Sequence, residues 1–336
     1  MRPEPTLPSR FGVARRGSSS VVSSQKTSYK KKYFLIVIFP VVLLLSCRSL
    51  SPVSLNQSGI PEREKLQFHT FEAFSPQWQP LIPEGAGLFY TAAGISDPKL
   101  EFWAIKADLT NPKIKIVAGG QFCAGDFKSI RVSSFVRNND LHAGINTVPF
   151  DHISSKEGKS LASIGLVISN NILLSPPVPH YDGIVFYRAE NPEKCRAAIL
   201  PQGEILNLDM VEHASGGFRI VLEHGILPER LCENTQPMPR HPRSAAGLSA
   251  DGNTLYLLVI DGRRSGSIGA TEAETGLILG KLGAASGLNL DGGGSSAMAL
   301  RFRDGKVRTV NTPIHGGIKK RERAVAACIG IQYGYL

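Results

Sequence analysis

The segment 254–300 constrains the fold of this chain more than any other part of the sequence. It begins with a uniformly apolar run at 254–260, which is typical of a strand covered on both faces. Thr271 and Glu274 then have the spacing of a capping box, and an apolar stripe follows, so we predict a helix over 271–284. A second apolar run at 287–290 leads into a glycine-rich sequence. This order predicts a βαβ unit over 254–291, with parallel strands.

Two aspartates stand at the ends of these strands. Asp261 and Asp291 each follow the last residue of a predicted strand, so both should lie at the carboxyl edge of the sheet, where open α/β sheets bind ligands. Their carboxylates would start roughly 5 Å apart on neighbouring strands and roughly 10 Å apart with one strand between. These values bracket the separations of about 5 Å and about 6.5–9.5 Å in glycoside hydrolysis. We therefore predict that Asp261 and Asp291 are catalytic residues, acting as acid, base or nucleophile. A structural role in ordering the glycine-rich sequence is the alternative for Asp291.

The rest of the chain contains more strand signals than helix signals. A second helix is predicted at 129–138. Further strands are predicted at 100–107, 113–118, 162–169, 183–188, 218–222, 245–249 and 324–333. We predict one strand-rich α/β domain of the mixed α+β type over 84–336. Residues 47–83 are rich in Ser, Pro and Gln, which indicates a tether.

Residues 1–46 are predicted to be an export signal. Three lysines at 30–32 precede an apolar run at 33–45, which is too short to span a bilayer comfortably. The run ends in a pattern that resembles a bacterial lipobox, so we predict that Cys47 is lipidated and anchors the mature chain to a membrane. The protein would then be exported, to the periplasm or the cell surface. A plain secretory signal is the alternative, and an over-extended N-terminus, with the true start near residue 21, is a further expectation.

The net charge does not indicate a nucleic-acid partner. Residues 1–46 hold eight of the 38 basic side chains and one of the 28 acidic ones, so that segment supplies +7 of the net charge of +10. The remaining chain is nearly balanced. We therefore predict no nucleic-acid binding, because such proteins carry a basic patch in the folded domain.

The sequence contains no metal-binding motif. The cysteines after Cys47 are Cys123, Cys195, Cys232 and Cys328, which are widely spaced. A disulfide in an oxidising compartment and four free thiols both remain open. The loop histidines that could line a cleft are His152, His180 and His241. No cofactor is required, and a divalent cation at the two aspartates is left open.

A glycine loop follows the second strand of the βαβ unit. Its sequence is Asp291, Gly292, Gly293, Gly294, Ser295 and Ser296. Three glycines permit positive φ and let backbone amides approach an anion such as a phosphodiester, and the serines add hydroxyl donors. The loop lacks GK[ST] and GxSxG, so it is neither a Walker loop nor a nucleophile elbow. A flexible turn is the alternative.

These residues resemble those of the phosphodiester glycosidase family. The sequence LNLDGGGSSAM at 288–298 is similar to that family's signature, and further family motifs occur in order over roughly 86–335. They begin at 143, 165, 216, 242, 261, 311 and 322. The chain departs from the pattern at Ser244, which replaces the usual Thr. It departs again after Asn146, where Thr147-Val148-Pro149-Phe150 replaces a Gly-Phe-Phe run, and a different sugar is one interpretation.

The resemblance implies a set of substrate-binding residues. Arg243 is the first choice for holding a phosphate, because guanidinium binds phosphate in a bidentate manner. Arg263 and Arg323 are further candidates, with a solvated surface as the alternative for each. Asn146 would hold a sugar hydroxyl or merely cap a turn. The set is completed by the loop residues Gly292, Gly293, Gly294, Ser295 and Ser296.

The function implied is hydrolysis of the bond between a sugar and a phosphodiester, on a cell-envelope glycan or an exopolysaccharide. The expected partners are therefore a sugar-phosphate or glycan substrate, and a membrane through the lipid anchor. Two alternatives remain open. One is a carbohydrate-binding lipoprotein without activity, and the other is a phosphodiesterase that cuts the phosphorus–oxygen bond.

Overall fold

The computed structural model describes residues 74–82, 86–188, 195–205, 208–232 and 238–334. The predicted signal at 1–46, Cys47 and most of the predicted tether lie outside these residues. No helix within the described part is long and apolar enough to cross a membrane.

Strands dominate the described chain. In chain order they are β1 Gln79–Pro80, β2 Leu88–Ser96, β3 Lys99–Asp108, β4 Ile114–Gly119, β5 Gln121–Cys123, β6 Asp126–Lys128, β7 Ala143–Asn146, β8 Ser160–Leu161, β9 Val167–Ser169, β10 Ile172–Ser175, β11 Asp182–Tyr187, β12 Ala197–Pro201, β13 Val211–Gly216, β14 Ile220–Leu222, β15 Arg243–Leu248, β16 Thr254–Ile260, β17 Ser286–Asn289, β18 Met298–Arg301, β19 Val307–Thr309, β20 Ile314–His315, β21 Ile318–Lys319 and β22 Cys328–Tyr333. The helices are α1 Val132–Asn138, α2 Glu229–Cys232 and α3 Glu272–Leu282. The prediction of a strand-rich mixed α+β domain is confirmed.

Three of the sheets build the body of the domain. Their strand orders are β1-β2-β3-β16-β15-β17-β14, β10-β9-β13-β11-β12 and β19-β18-β7-β22-β4. Two smaller sheets, β5-β6-β8 and β20-β21, lie outside them. One apolar core contains residues from all three larger sheets, among them Leu257, Ile184 and Ile329.

Strand β16 is buried on both faces, as its apolar sequence predicts. Leu257 belongs to the core that the sheets share, whereas Leu258 belongs to the core beneath α3. Both side chains are inaccessible to solvent. Because alternate residues of a strand point to opposite faces, only a continuous apolar run can fill two cores. Strand β16 is therefore central to the domain.

The predicted βαβ unit needs one correction. Strands β16 and β17 do run in the same direction, but β15 lies between them and pairs antiparallel with both. The strand pairs described for this sheet are antiparallel, so it is not a parallel α/β sheet. Because β16 and β17 keep the same direction, Asp261 and Asp291 still follow strands at the same edge, with one strand between them.

Helix α3 begins with the capping box that the sequence predicts, and it ends two residues before the predicted end. The Thr271 hydroxyl accepts a hydrogen bond from the Glu274 amide at 3.1 Å, and the Glu274 carboxylate accepts one from the Thr271 amide at 2.9 Å. The helix is capped by Gly283, whose φ of 111° is in the left-handed region that favours glycine. The helix packs on one face of the large sheet and so covers β16 and β17.

Residues 74–82 pack on the domain, although the sequence assigns them to the tether. The Phe74 ring lies 4.9 Å from the Phe102 ring, and Leu81 is buried in the shared core. Strand β1 pairs with β2. The packed domain therefore includes chain before residue 84.

Candidate active site

The glycine loop is fixed to two neighbouring parts of the chain, the end of β7 and the segment before β15. The Asp291 amide donates to the Thr147 carbonyl at 2.7 Å, and the Asn146 side-chain amide donates to the Asp291 carbonyl at 2.6 Å. The Gly293 amide donates to the Pro242 carbonyl at 2.8 Å. Residues Gly293–Ser295 then form one turn of 3-10 helix. The predicted alternative of a flexible turn does not describe this loop, because its backbone is held by β7 and by the chain before β15.

A different steric constraint favours glycine at each of the three positions in the loop. A Cβ atom at Gly292 would lie 2.9 Å from the Pro242 carbonyl oxygen, and Gly293 has a φ of 64°. A Cβ atom at Gly294 would lie 2.8 Å from the Cζ atom of Arg323, well inside contact distance. The guanidinium of Arg323 therefore lies directly over the loop backbone, which only glycine allows.

Three of the loop amides are hydrogen-bonded to protein carbonyls, whereas the sequence predicts that loop amides approach an anion. The amides of Gly293, Ser295 and Ser296 donate to the carbonyls of Pro242, Gly292 and Gly293. These amides are therefore occupied, and we assign the positive potential at the loop to the nearby arginines instead. Ser296 is buried, and its hydroxyl has no hydrogen-bond partner among the described residues.

Arg323 donates one hydrogen bond to the loop and one to His315. Its Nη1 atom donates to the Ser295 hydroxyl at 3.1 Å, and its Nε atom donates to Nδ1 of His315 at 3.3 Å. Burial lowers the pKa of Arg323, the negative charge of Asp291 raises it, and the positive charge of Arg263 lowers it further. Residues Ala324 and Val325 that follow are fully buried, so the backbone that carries this guanidinium is fixed.

Arg263 approaches the same loop from the end of β16. Its Nη2 atom lies 3.0 Å from the position of a Cβ atom at Gly293. Its backbone has a φ of 61°, an uncommon conformation for an arginine. The adjacent Arg264 instead pairs with Asp261 and Glu101. The sequence could not tell which of the two arginines lies at the site. In the structure Arg264 is held in ion pairs, whereas Arg263 lies at the loop.

Asp291 is a half-buried carboxyl group with a raised pKa. Its surroundings raise the pKa from 3.8 to about 6, and burial is the largest cause. Hydrogen bonds with the Ser295 hydroxyl and the Gly292 amide, and the charge of Arg323, lower the pKa and offset part of that effect. The group therefore changes its charge near pH 6, in the range that suits proton transfer at neutral pH.

Asp261 lies deeper, and its carboxylate is bonded to three neighbouring residues. It is 1% exposed, and its oxygens accept hydrogen bonds from Arg264, from the Thr312 amide and from the Asn311 side chain. The Asn311 side chain also donates to the Ser296 carbonyl at 3.1 Å. Asp261 is thus connected to the glycine loop through Asn311, and its carboxylate does not open toward a substrate.

Asn146 lies beneath the loop. Its side chain is inaccessible to solvent and bonds with the Asp291 carbonyl, the Ser244 hydroxyl at 2.7 Å and the Ala297 amide at 3.2 Å. These three contacts join β7, β15 and the loop. The geometry supports a positioning task for Asn146, and Ser244, a departure from the family pattern, supplies one of its partners.

Arg243 borders the loop, but its guanidinium points elsewhere. Its Nε atom donates to the Ala270 carbonyl at 2.9 Å, and Nη1 lies 3.9 Å from a Glu272 carboxylate oxygen. Burial lowers its pKa, whereas Glu272 and Glu274 raise it. Its Cδ atom is 4.0 Å from the position of a Cβ atom at Gly292. Arg243 therefore contributes positive potential from behind the loop.

The structure brings together part of the predicted set. Asp291, Arg263, Arg323 and Ser295 meet at the loop, whereas Asp261, Asn146 and Arg243 support it from behind. Sequence reasoning missed His315 as a site residue. The one signal for it was its position two residues after the Asn311-Thr312-Pro313 motif.

A cavity of about 400 Å³ lies elsewhere, between β4 and the strands β11 and β13. It contains none of the predicted site residues. We place the site at the glycine loop instead, because the ionisable groups with complementary charge meet there. Within the described residues, no cluster of three or more His, Cys, Asp or Glu side chains is arranged to hold a metal ion.

Within the described residues, the carboxyl group of Asp291 lies beside the guanidinium groups of Arg263 and Arg323 on a strand-rich α+β scaffold, an arrangement that is able to bind an anion. Comparison with known proteins gives the family. The phosphodiester glycosidase family model matches residues 139–332, which is more than half of the chain, and the chain belongs to that family. No curated protein sequence matches significantly.

Three solved structures share the fold. The catalytic domain of zebrafish N-acetylglucosamine-1-phosphodiester alpha-N-acetylglucosaminidase, auto-inhibited by its pro-peptide, aligns with a TM-score of 0.56 at 16% identity, covering 77% of this chain and 87% of that one. A hypothetical protein from Synechocystis gives 0.54 at 15% identity, with 78% and 64% covered. The chain thus spans less than two thirds of that protein. A putative exported protein from Burkholderia pseudomallei gives 0.54 at 15% identity, with 69% and 74% covered.

Proposed function

We propose that this protein is a hydrolase that cleaves the bond between the anomeric carbon of a sugar and the phosphate of a phosphodiester. One observation carries the proposal. The carboxyl group of Asp291, with a pKa of about 6, lies on a glycine loop that is covered by the guanidinium groups of Arg263 and Arg323. Membership of the phosphodiester glycosidase family supports the same reaction class.

The reaction requires little acid catalysis at the leaving group. As the anomeric carbon–oxygen bond breaks, its electron pair stays on the phosphate oxygen, and the sugar develops oxocarbenium character. Two guanidinium groups neutralise the phosphate monoester that leaves. Water adds to the anomeric carbon and loses one proton, so the products are the free sugar and the phosphate monoester.

In this scheme Asp291 is the reacting carboxyl group. Its ionised form accepts the proton of the attacking water, and its partial exposure leaves it open to the site. Asp261 and Asn146 are positioning residues, because their oxygens and nitrogens are already bonded to the loop and its supports. Arg243 raises the positive potential behind Gly292. The buried Ser296 hydroxyl, which lacks a partner among the described residues, is available to shift toward a bound oxygen.

We further propose that the enzyme is an exported lipoprotein, anchored through Cys47, in the periplasm or on the cell surface. The three lysines, the short apolar run and the lipobox-like end support this location. The substrate would then be an envelope glycan or an exopolysaccharide. Radiolabelled palmitate should be incorporated into the wild-type chain and not into Cys47→Ser, and equal labelling would contradict lipidation at this residue.

Hydrolysis in oxygen-18 water tests the reaction. A hexose 1-phosphodiester with an alkyl aglycone is incubated with the purified protein, and the products are examined by mass spectrometry. The proposal expects the label in the sugar. Label in the phosphate would show a phosphodiesterase instead, and binding without any product would show a non-catalytic carbohydrate-binding protein. The matched controls are Asp291→Asn, expected to lose turnover, and Asp304→Asn, an exposed aspartate expected to retain it.

A further inference from the structure

We propose that His315 is a positioning residue that orients the Arg323 guanidinium for the substrate phosphate, an inference that rests on the proposed function. His315 contacts neither the glycine loop serines nor Asp291 through any described hydrogen bond. It acts through Arg323 alone, whose Nε atom donates to Nδ1 of His315 at 3.3 Å.

His315 is held in position by the contacts of Asn311 and Ile314, which precede it in the chain. Asn311 is 6% exposed and bonds with Asp261, with the Ser296 carbonyl and with the Met298 amide. Ile314, the first residue of β20, is buried and pairs with Lys319 of β21. The imidazole of His315 is thus presented to Arg323 by a short hairpin whose start is fixed to the glycine loop.

The hydrogen bonds of Arg323 to His315 and to Ser295 use different nitrogen atoms of its guanidinium group. Nε is taken by His315 and Nη1 by the Ser295 hydroxyl. Within the described part of the chain, Nη2 has no hydrogen-bond acceptor, and it lies over the Gly294 backbone. Because a guanidinium is planar, fixing Nε and Nη1 also fixes the direction of Nη2. His315 therefore sets the direction in which the free donors of Arg323 meet a phosphate oxygen.

The imidazole must be neutral to accept this bond. Burial lowers the pKa of His315, and the positive charges of Arg323 and Arg321 lower it further. With Nδ1 as the acceptor, the neutral ring carries its hydrogen on Nε2. Arg321 itself donates to the Ser155 hydroxyl at 2.8 Å and so does not compete for Nδ1.

The test compares two substitutions that differ in the acceptor. His315→Leu removes it, whereas His315→Asn offers an amide oxygen near the position of Nδ1. The first measurement is binding of inorganic phosphate by calorimetry at pH 7.5. The inference expects about a tenfold weaker Kd for His315→Leu, the worth of one lost hydrogen bond, and a Kd within about threefold of wild type for His315→Asn. Equal binding by wild type and His315→Leu, or no binding by wild type, would overturn it.

The second measurement separates phosphate positioning from a general structural defect. For a hexose 1-phosphodiester, His315→Leu should lower kcat/KM about tenfold, whereas a hexoside with an uncharged nitrophenyl leaving group should be cleaved within about twofold of the wild-type rate. An equal decrease on both substrates contradicts the inference. If wild type binds phosphate with the expected dependence on residue 315 but cleaves neither substrate, the proposed function fails and the positioning inference stands.

A double-mutant cycle tests whether His315 acts through the Nε atom of Arg323. Arg323→Lys removes the Nε donor, so His315 has nothing left to orient. In that background, His315→Asn and His315→Leu should bind phosphate equally, within about twofold. Coupling that persists without the Nε donor would show that His315 acts in another way.

Discussion

Replacing Asp291 with asparagine should stabilise the protein at neutral pH while it abolishes turnover. The surroundings of Asp291 raise its pKa from 3.8 to about 6, and burial is the largest cause. Between these values the folded protein holds a proton that the unfolded chain has released, so the free energy of unfolding of the wild type falls as pH rises. Above about pH 6 the carboxylate is ionised in both states, and this loss is complete.

The expected size of this stability difference follows from the pKa shift of Asp291. About two pKa units correspond to about 3 kcal/mol, because one unit is worth 1.36 kcal/mol. About 1 kcal/mol of this is already lost at pH 4.5, since the unfolded chain is largely ionised there. The difference in unfolding free energy between Asp291→Asn and wild type should therefore grow by about 2 kcal/mol from pH 4.5 to pH 7.5.

Urea unfolding at several pH values measures this difference, with the fluorescence of Trp78 and Trp103 as the probe. Comparing the two proteins at each pH cancels the contributions of all other groups. Asp304→Asn is the control, because Asp304 is exposed and Arg308 lowers its pKa, so its removal should give no gain in stability at neutral pH. A difference between Asp291→Asn and wild type that is constant across this range would refute a raised pKa and, with it, the acid/base argument.

Three other substitutions test which residues take part in the reaction and which only stabilise the fold. Gly294→Ala should lower kcat/KM at least tenfold and shift the Tm by less than about 2 °C, because its Cβ atom displaces a flexible Arg323 side chain instead of backbone. Asp261→Asn should lower the free energy of unfolding by about 2 to 3 kcal/mol in urea titrations, because it removes the buried partner of Arg264. Thr271→Ala should cost about 1 kcal/mol in the same titrations with kcat/KM unchanged, because it removes the capping box of α3.

For each of these three predictions, one experimental result would contradict it. Gly203→Ala is the control for the glycine substitution, since a Cβ atom there meets open space; equal activity losses in the two variants would show that Gly294 makes no special contact. A stable Asp261→Asn protein without turnover would return Asp261 to the reaction itself. A loss of activity in Thr271→Ala would connect the helix start to the site.

The sequence was a reliable guide where local chemistry decides the structure. The capping box at Thr271 and the doubly buried strand β16 are each set by residues within a few positions. The insertion of β15 between β16 and β17 was not predictable in the same way. Strand order depends on which distant segments pack together, and β15 precedes both strands in the chain.

The two aspartates illustrate the same limit at the site. Asp261 and Asp291 have similar sequence contexts, since each follows an apolar strand and precedes a glycine. What separates them is contact with residues far along the chain, namely Asn311 and Thr312 for Asp261 and Arg323 for Asp291. The conformation of Arg263 was equally hidden, because nothing in the local sequence requires its positive φ.

A site with one accessible carboxyl group has consequences for the substrate it can process. Glycoside hydrolysis with a sugar as the leaving group generally requires two carboxyl groups, because a poor leaving group must receive a proton. Here Asp261 is already bonded to Arg264, Asn311 and Thr312, and for this reason the proposed mechanism assigns the reaction to Asp291. A phosphate ester leaves without protonation when cations neutralise its charge, as Arg263 and Arg323 can. The same arrangement should cleave a neutral glycoside poorly unless the aglycone is itself an acidic alcohol such as nitrophenol. Under the proposed function, we therefore expect this arrangement of charge to favour a phosphodiester over an ordinary glycosidic bond.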